Sequence, residues 1–374
     1  MNELTKVLSV KEQAQEQLLV VMKALGIGKI VRNLKFEKAQ GYTLASLFIS
    51  LLIMRLWGKT IASATSNHFH GLCTVSKNTL YRALLNARID WRMLLTKITL
   101  RFHAILREHQ VNTDEHDTCA ILDDTTFQKS GIRIEGVSKV FDHVTHNFIY
   151  GMKCLTLALS DGKSCYPIDF SLHREKGKKK DYGLTLKQRK EQFKEKRNAK
   201  NPDYARKAEC DESKLEMAKR MLCHAVGHGI NFKYVLADSW FTCESLIQAV
   251  RELCGGSVHY IGLAKMNPKL RYQTSKSKHP QNIHELIVRY ERTASCYCRK
   301  YKCKYIQLHA KLGEQPVRIF IIKYGRSTHW KVLLTTDTSM NFVRAFEFYE
   351  KRYQCTKKRH LNPMDLHMNL VNEE

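Results

Sequence analysis

The chain has 374 residues, 43% of them hydrophobic, so it can bury more than one core and we expect two or three domains. Its 62 Lys and Arg residues outnumber 36 Asp and Glu residues, and the resulting net charge of +26 favours a polyanionic partner such as nucleic acid. Its 12 cysteines are scattered and no secretory leader opens the chain, which argues against a secreted disulfide scaffold. We therefore expect a cytoplasmic protein with reduced thiols.

The first hundred or so residues predict helices. Apolar residues recur at three- and four-residue spacing in Gln13 to Leu25, Thr43 to Trp57 and Lys77 to Asn86. The uncharged run between Lys38 and Arg55 falls short of the roughly 20 apolar residues that a membrane-spanning helix needs. It predicts a buried helix, and no membrane partner is expected.

One of these helices could read DNA. Ser76 is a typical N-cap, and the helix that follows it is expected to bury Leu80 and Leu84. Its other face would present Lys77, Asn78, Tyr81 and Arg82. That composition suits the recognition helix of a helix-turn-helix, but an ordinary amphipathic helix with a basic face explains it equally well.

From Thr118 the pattern changes to strands. Three candidates follow one another, at Thr118 to Thr125, Gly151 to Ser160 and Ser164 to Leu172. The turn residues Asp161-Gly162 between the last two predict an antiparallel hairpin. The basic segment His173 to Ala208 comes next, and it is either a solvated surface or a DNA-backbone contact.

Helices and strands then alternate before a β-rich stretch. Helices are predicted at Ser213 to Val226, Leu246 to Leu253 and Phe342 to Gln354. Strands are predicted at Phe232 to Asp238, Val258 to Ala264, Tyr305 to Ala310, Val317 to Lys323 and Trp330 to Thr335.

Two of the apolar strands end in aspartates. Asp123 and Asp124 follow Ala120-Ile121-Leu122, and Asp238 follows Tyr234-Val235-Leu236-Ala237. Carboxylates at the ends of buried strands are costly unless a cation holds them, and a divalent metal is the usual reason. In so basic a chain, the substrate of such a metal is expected to be a phosphodiester.

The order strand, strand, strand, helix, strand is that of a ribonuclease-H-like α/β core. In that core, an acid on the first strand and another after the fourth converge on one edge of the sheet. Two carboxylates placed together bind Mg²⁺ or Mn²⁺, and two such ions can activate a water or a 3′-hydroxyl for in-line displacement at phosphorus.

Three stretches of the sequence resemble the DDE transposases of bacterial insertion sequences, in particular the IS4-like group. Asp123-Asp124-Thr125-Thr126-Phe127 is similar to that group's first-acid motif, and Ala237-Asp238-Ser239-Trp240-Phe241 is similar to its second. Tyr349-Glu350-Lys351-Arg352 resembles the start of its Tyr-x-x-Arg-x-x-x-Glu-x-x-x-x-x-x-Lys motif. The likeness covers roughly residues 118–354.

The resemblance assigns roles to individual residues. Asp123 matches the first metal-binding acid, because Thr125 and Phe127 then fall at the motif positions, and the adjacent Asp124 is the alternative. Asp238 matches the second acid. In the family, the residues that Tyr349 and Arg352 match contact the DNA of the element ends. The alternatives are aspartates that cap turns and a surface Tyr-Arg pair.

The match stops after Arg352. Family spacing places the catalytic glutamate at Thr356 and the motif lysine at Pro363, so the third acid is missing and catalysis is expected to suffer. Glu350 lies six residues before Thr356, about 9 Å along a helix, which is too far for a shared metal site. The loss of helical periodicity predicts a truncated or frameshifted copy.

The resemblance implies a transposase that cleaves element ends and transfers strands with two Mg²⁺ or Mn²⁺ ions. Its partners would be double-stranded DNA, both terminal inverted repeats and target, and a second copy in a homodimer on DNA. It would be a bacterial cytoplasmic, nucleoid-associated protein. The alternatives are a catalytically dead DNA-binding remnant and another ribonuclease-H-like nuclease.

We expect four regions along the chain. Residues 1–112 would form a helical domain that binds DNA ends, and residues 113–264 the catalytic core with the basic segment 173–208. Residues 265–338 would form a β-rich insertion, and residues 339–374 the start of the final core helix and an atypical tail.

Overall fold

The computed structural model describes residues 13, 16–34, 41–56, 58–65, 75–109, 118–142, 145–161, 164–175, 177, 179–192, 196–325 and 327–356. The predicted tail beyond Thr356 lies outside the described residues. Contacts divide the chain into two compact units, one of residues 1–112 with 193–208 and one of residues 113–192 with 209–374.

The described part of the first unit is helical. Its helices are α1 (16–24), α2 (Ile27–Arg32), α3 (Leu44–Leu56), α4 (Ile61–Ala64), α5 (Lys77–Leu84) and α6 (Trp91–Glu108). Helices α1, α3 and α5 confirm the three predicted ranges. Leu47 and Met54 of α3 are buried, as the prediction of a buried helix requires. In the described residues, no helix is both long and apolar enough to cross a membrane.

Helix α5 begins as the sequence predicts. The Ser76 side chain accepts a hydrogen bond from the Thr79 amide, and Leu80 is fully buried. The prediction for Leu84 was wrong, because its side chain is 41% exposed and Ala83 is buried instead.

The second unit is built on one large mixed sheet, so the fold is mixed α/β. In chain order its strands are β1 (Cys119–Gln128), β2 (Ser138–Asp142), β3 (Asn147–Ser160), β4 (Cys165–His173), β5 (Tyr234–Ala237), β6 (His259–Ala264), β7 (Gln273–Thr274), β8 (Ser295–Cys298), β9 (Cys303–Leu312), β10 (Gln315–Tyr324) and β11 (Trp330–Thr335). The helices of this unit are α7 (Leu186–Lys190), α9 (Lys214–Gly227), α10 (Glu244–Glu252), α11 (Ile283–Tyr290) and α12 (Phe342–Thr356), whereas most of α8 (Pro202–Glu209) belongs to the first unit.

The centre of the sheet has the strand order β4-β3-β1-β5-β6. Strand β1 pairs antiparallel with β3 and parallel with β5, and β5 pairs parallel with β6. The predicted antiparallel hairpin of β3 and β4 is confirmed. Strand β11 pairs antiparallel with β6, so β11, β10 and β9 continue the same sheet.

Helix α12 covers one face of this sheet through a largely aromatic core. Phe342, Phe346, Tyr349 and Tyr353 of α12 share a buried cluster with Ile121 of β1 and with residues of β5 and β6. Helix α9 contacts β3 and β4 and buries Met217 and Met221. These two helices therefore place side chains beside the aspartates of β1.

One cysteine departs from the prediction that the cysteines are reduced. Cys165 is disulfide-bonded. Among the described residues, Cys298 and Cys303 are examples of buried free thiols.

Candidate active site

The prediction that both strands end in aspartates was wrong for Asp123, because β1 continues to Gln128. Asp123 lies in the middle of β1, and Asp238, which directly follows β5, stands at the same level. The parallel register of β1 and β5 pairs Ile121 with Leu236, and each acid follows its strand residue by two positions. Side chains two residues apart point to the same face, and adjacent strands lie about 4.8 Å apart. Both carboxylates are therefore directed to one place, over the face that α12 covers.

One guanidinium binds both acids. Nη2 of Arg352 lies 2.9 Å from Oδ1 of Asp123 and 3.7 Å from Oδ2 of Asp238. The Arg352 side chain is 6% exposed, whereas the two carboxylates keep 28% and 24% of their surface. Nη1 of Arg352 also donates a hydrogen bond of 3.2 Å to the hydroxyl of Tyr349. The two acids thus share a cation that comes from the same chain.

The environment of Asp123 disfavours a bare carboxylate. Burial raises the pKa of Asp123, the Arg352 guanidinium acts against that rise, and the nearby charges of Asp238 and Asp124 add to it. A cavity of about 400 Å³ opens beside it. The other residues that line this cavity are Ile121, Asp124, Thr125, Thr156, Ala158, Cys165, Tyr166 and Pro167.

The two oxygens of the Asp238 carboxylate have different partners. Oδ1 accepts hydrogen bonds from the amides of Trp240, at 2.9 Å, and Phe241, at 3.4 Å, so it caps the turn after β5. Oδ2 faces Arg352. Oδ1 therefore caps the turn, as the alternative interpretation of this aspartate predicts, whereas Oδ2 faces the shared cation.

A buried hydroxyl supports the turn that carries Asp238. Oγ1 of Thr242 lies 3.3 Å from the carbonyl oxygen of Asp238 and 2.9 Å from the hydroxyl of Tyr260. It also hydrogen-bonds the carbonyl of Leu263 on β6. The turn is therefore tied to the neighbouring strand.

Asp124 belongs to the opposite face of β1. Its Oδ2 lies 2.8 Å from Nζ of Lys214, the first residue of α9. The same ammonium group lies 3.8 Å from the ring centre of Trp240. Of the two adjacent aspartates, Asp123 is the one that the fold brings to Asp238.

The helix that should carry the third acid does not bring one to this place. Helix α12 continues to Thr356, where the family motif has its glutamate. Glu350 instead lies near Tyr301, and burial raises the pKa of its carboxyl. Glu347 pairs with Lys300. Among the described residues, no three acidic, histidine or cysteine side chains form a group that could hold a metal.

The residues predicted to bind DNA fall into two classes. Lys77, Asn78, Tyr81 and Arg82 are all exposed on α5. Tyr349 is fully buried and Arg352 is 5% exposed, so a DNA contact by either would require their surroundings to rearrange. The DNA-contact role of all six remains a prediction.

Neither the contact of Lys214 with Asp124 nor the acid-binding position of Arg352 was predicted from the sequence. The Ser213 side chain caps α9 by accepting a hydrogen bond from the Glu216 amide, so Lys214 stands in the first turn of the helix. Which strand end the helix would meet depends on long-range packing, because Lys214 and Asp124 are 90 residues apart.

Two comparisons with known proteins bear on this site. No curated protein matches the chain. The sequence model of the DDE superfamily endonuclease family matches residues 45–282, which is well over half of the chain. That range includes Asp123 and Asp238 and ends before α12. The chain therefore belongs to the DDE superfamily endonuclease family.

Proposed function

We propose that the chain is a transposase of an IS4-like insertion sequence, in which Asp123 and Asp238 bind the divalent cation that acts on DNA. The observation that carries this proposal is the shared guanidinium of Arg352, 2.9 Å from one acid and 3.7 Å from the other. Two carboxylates separated by more than a hundred residues converge on one cation within a family of DNA-cutting enzymes.

The strand order supports a ribonuclease-H-like catalytic core. Strands β1, β3, β4, β5 and β6 have the pairing that such a core requires, with Asp123 inside its first strand and Asp238 directly after its fourth. By this proposal, the helical residues 1–112 bind element ends, and residues 265–338 form a β-rich insertion whose strands extend the core sheet.

The acids fit a hard divalent cation. Mg²⁺ and Mn²⁺ prefer carboxylate oxygens, and here two such oxygens already face a single positive group. When bound, the metal would supply Lewis acidity at the phosphodiester and lower the pKa of a coordinated water. Asp123 and Asp238 would hold it, and the amides of Trp240 and Phe241 would fix the orientation of the Asp238 carboxylate.

The partner in this proposal is double-stranded DNA, as terminal inverted repeats and as target. The net charge of +26 supports strong phosphate neutralisation, and the exposed face of α5 offers Lys77, Asn78, Tyr81 and Arg82 for contact with a groove. Action as a homodimer on DNA in the bacterial cytoplasm belongs to the same proposal.

A second candidate is a DNA-binding remnant without catalysis. Thr356 stands where the third acid is expected, and loss of one ligand from a two-metal site should reduce metal affinity and rate severely. Such a protein would still bind the element ends.

An end-cleavage assay separates these candidates. Labelled duplexes taken from the DNA on either side of the gene are incubated with wild-type protein, Asp238→Ala or the exposed-site control Asp181→Ala, with Mg²⁺ or Mn²⁺. Cleavage at a repeat boundary by wild type and Asp181→Ala but not by Asp238→Ala supports the transposase. Specific binding without cleavage supports the remnant. Structure-selective cutting without preference for the repeats would instead indicate another ribonuclease-H-like nuclease.

A further inference from the structure

The guanidinium of Arg352 lies where the proposed metal would have to lie. Its Nη2 is 2.9 Å from Oδ1 of Asp123 and 3.7 Å from Oδ2 of Asp238. The other oxygen of Asp238 is engaged by backbone amides, so Oδ2 is the one left for a cation. The point between these two oxygens is therefore the natural cation position of the pair.

A divalent cation and this guanidinium cannot share that position. Mg²⁺ bonds oxygen at about 2.0–2.1 Å, well inside the space that Nη2 fills. Two positive groups at such a separation also repel each other strongly in a partly buried site. Metal binding thus requires Arg352 to withdraw.

Arg352 is held firmly in its place. Nη1 hydrogen-bonds Tyr349, which is fully buried, and the guanidinium lies 5.8 Å from the ring centre of Tyr353. Helix α12 is itself anchored by the buried Phe342 and Phe346. Packing of the helix thus fixes the distance between its arginine and the acids.

We propose that Arg352 is a built-in counter-ion, which occupies the cation position of Asp123 and Asp238 in the metal-free protein and competes with the divalent metal for it. This inference rests on the proposed function, because it concerns the same metal site. It gives Arg352 a regulatory role, in which the guanidinium keeps the two acids neutralised until the metal displaces it.

Calorimetric titration of the protein with Mn²⁺ alone measures its affinity for the metal and so tests the competition. Arg352→Gln removes the positive charge and keeps much of the volume. Arg344→Gln, an exposed arginine of the same helix, is the control for the change in net charge. We expect Arg352→Gln to bind Mn²⁺ about tenfold more tightly than wild type, since the metal no longer breaks a charged hydrogen bond. Arg344→Gln should bind it as wild type does.

Thermal unfolding gives a second readout. In EDTA, the Tm of Arg352→Gln should fall below that of wild type, because two carboxylates then face each other without a counter-ion. Mn²⁺ should raise the Tm of Arg352→Gln more than that of wild type.

The outcomes separate this inference from the proposed function. If wild type and Arg352→Gln bind Mn²⁺ equally well, and Asp238→Asn abolishes the binding in both, the competition is refuted and the metal site stands. If Asp238→Asn leaves Mn²⁺ binding unchanged in both backgrounds, the metal site and the inference fail together.

Arg352→Lys covers the case in which the glutamine variant does not fold. The lysine keeps a positive charge but lacks the planar fork that reaches both carboxylates. We expect its affinity for Mn²⁺ to lie between those of wild type and Arg352→Gln. An affinity at or below that of wild type would overturn the inference.

Discussion

The ammonium group of Lys214 lies 2.8 Å from Oδ2 of Asp124, on the face of β1 opposite to the Asp123 carboxylate. The same group lies over the ring of Trp240, two residues after Asp238. Lys214 therefore joins the middle of β1 to the turn after β5. It is a positioning residue for the acid pair, since it holds together the two segments on which the acids stand.

Replacing Lys214 should loosen that junction. Both side chains of the Lys214–Asp124 pair are largely buried, at 14% and 18% exposure, so Lys214→Met removes the ammonium group that contacts the Asp124 carboxylate. We expect a loss of about 2–4 kcal/mol in the free energy of unfolding, measured by urea denaturation.

Lys219→Met is the matched control on the same helix. Lys219 pairs with Glu216, whose side chain is 62% exposed, so its loss should cost less than about 0.5 kcal/mol. Equal destabilisation by the two substitutions would show that Lys214 has no special role.

Gly262 makes room for the tyrosine that supports the Asp238 turn. A Cβ at this position would lie 2.6 Å from the hydroxyl oxygen and 2.8 Å from a ring carbon of the fully buried Tyr260. We expect Gly262→Ala to lower the free energy of unfolding by about 1–3 kcal/mol, as over-packing does in other cores. Gly227→Ala, where nothing lies within 4 Å, should be neutral or mildly stabilising. A Gly262→Ala protein as stable as wild type would contradict the close packing around Tyr260.

Glu350 should make stability depend on pH. Burial raises its pKa in the folded state, so the native protein binds this proton more tightly than the unfolded chain does. The corresponding stability is present below the unfolded pKa of 4.5 and is lost as pH rises through the folded pKa. At pH 7, Glu350→Gln should therefore raise the Tm by about 1–2 °C over wild type, and the gain should vanish near pH 4.

Glu347→Gln is the control for this pH effect, because Glu347 is exposed on the same helix and pairs with Lys300. Its Tm relative to wild type should not rise at pH 7. A constant Tm difference between Glu350→Gln and wild type from pH 4 to pH 8 would contradict the raised pKa of Glu350.

Much of the core sheet was predictable because its strands are buried apolar runs. The predicted ranges for β1, β3, β4, β5, β6, β9, β10 and β11 are confirmed, most of them to within a few residues. Strand β2 (Ser138–Asp142) was not predicted. Its five residues mix polar and apolar side chains without a clear alternation, and pairing with β3 stabilises the strand. Helix α11 carries a readable signal, a capping box between Asn282 and Glu285, in a region predicted to be β-rich.

The site was predictable only in part. That Asp123 and Asp238 meet follows from their positions two residues after paired residues of strands that such a core places side by side. Their counter-ion does not follow, because Arg352 is 229 residues from Asp123 and reaches it only through the packing of α12. The family resemblance predicted a DNA contact for Arg352, and this role remains a prediction.

Asp123 and Asp238 are proposed to bind one divalent cation together, and the proposed catalysis depends on that. Electron paramagnetic resonance of Mn²⁺ with wild-type protein, Asp123→Asn, Asp238→Asn and the control Asp181→Asn tests it most directly. We predict that wild type and Asp181→Asn bind Mn²⁺ and that either site substitution abolishes the bound signal. An Asp123→Asn Asp238→Asn double variant that binds Mn²⁺ as wild type does would contradict the claim.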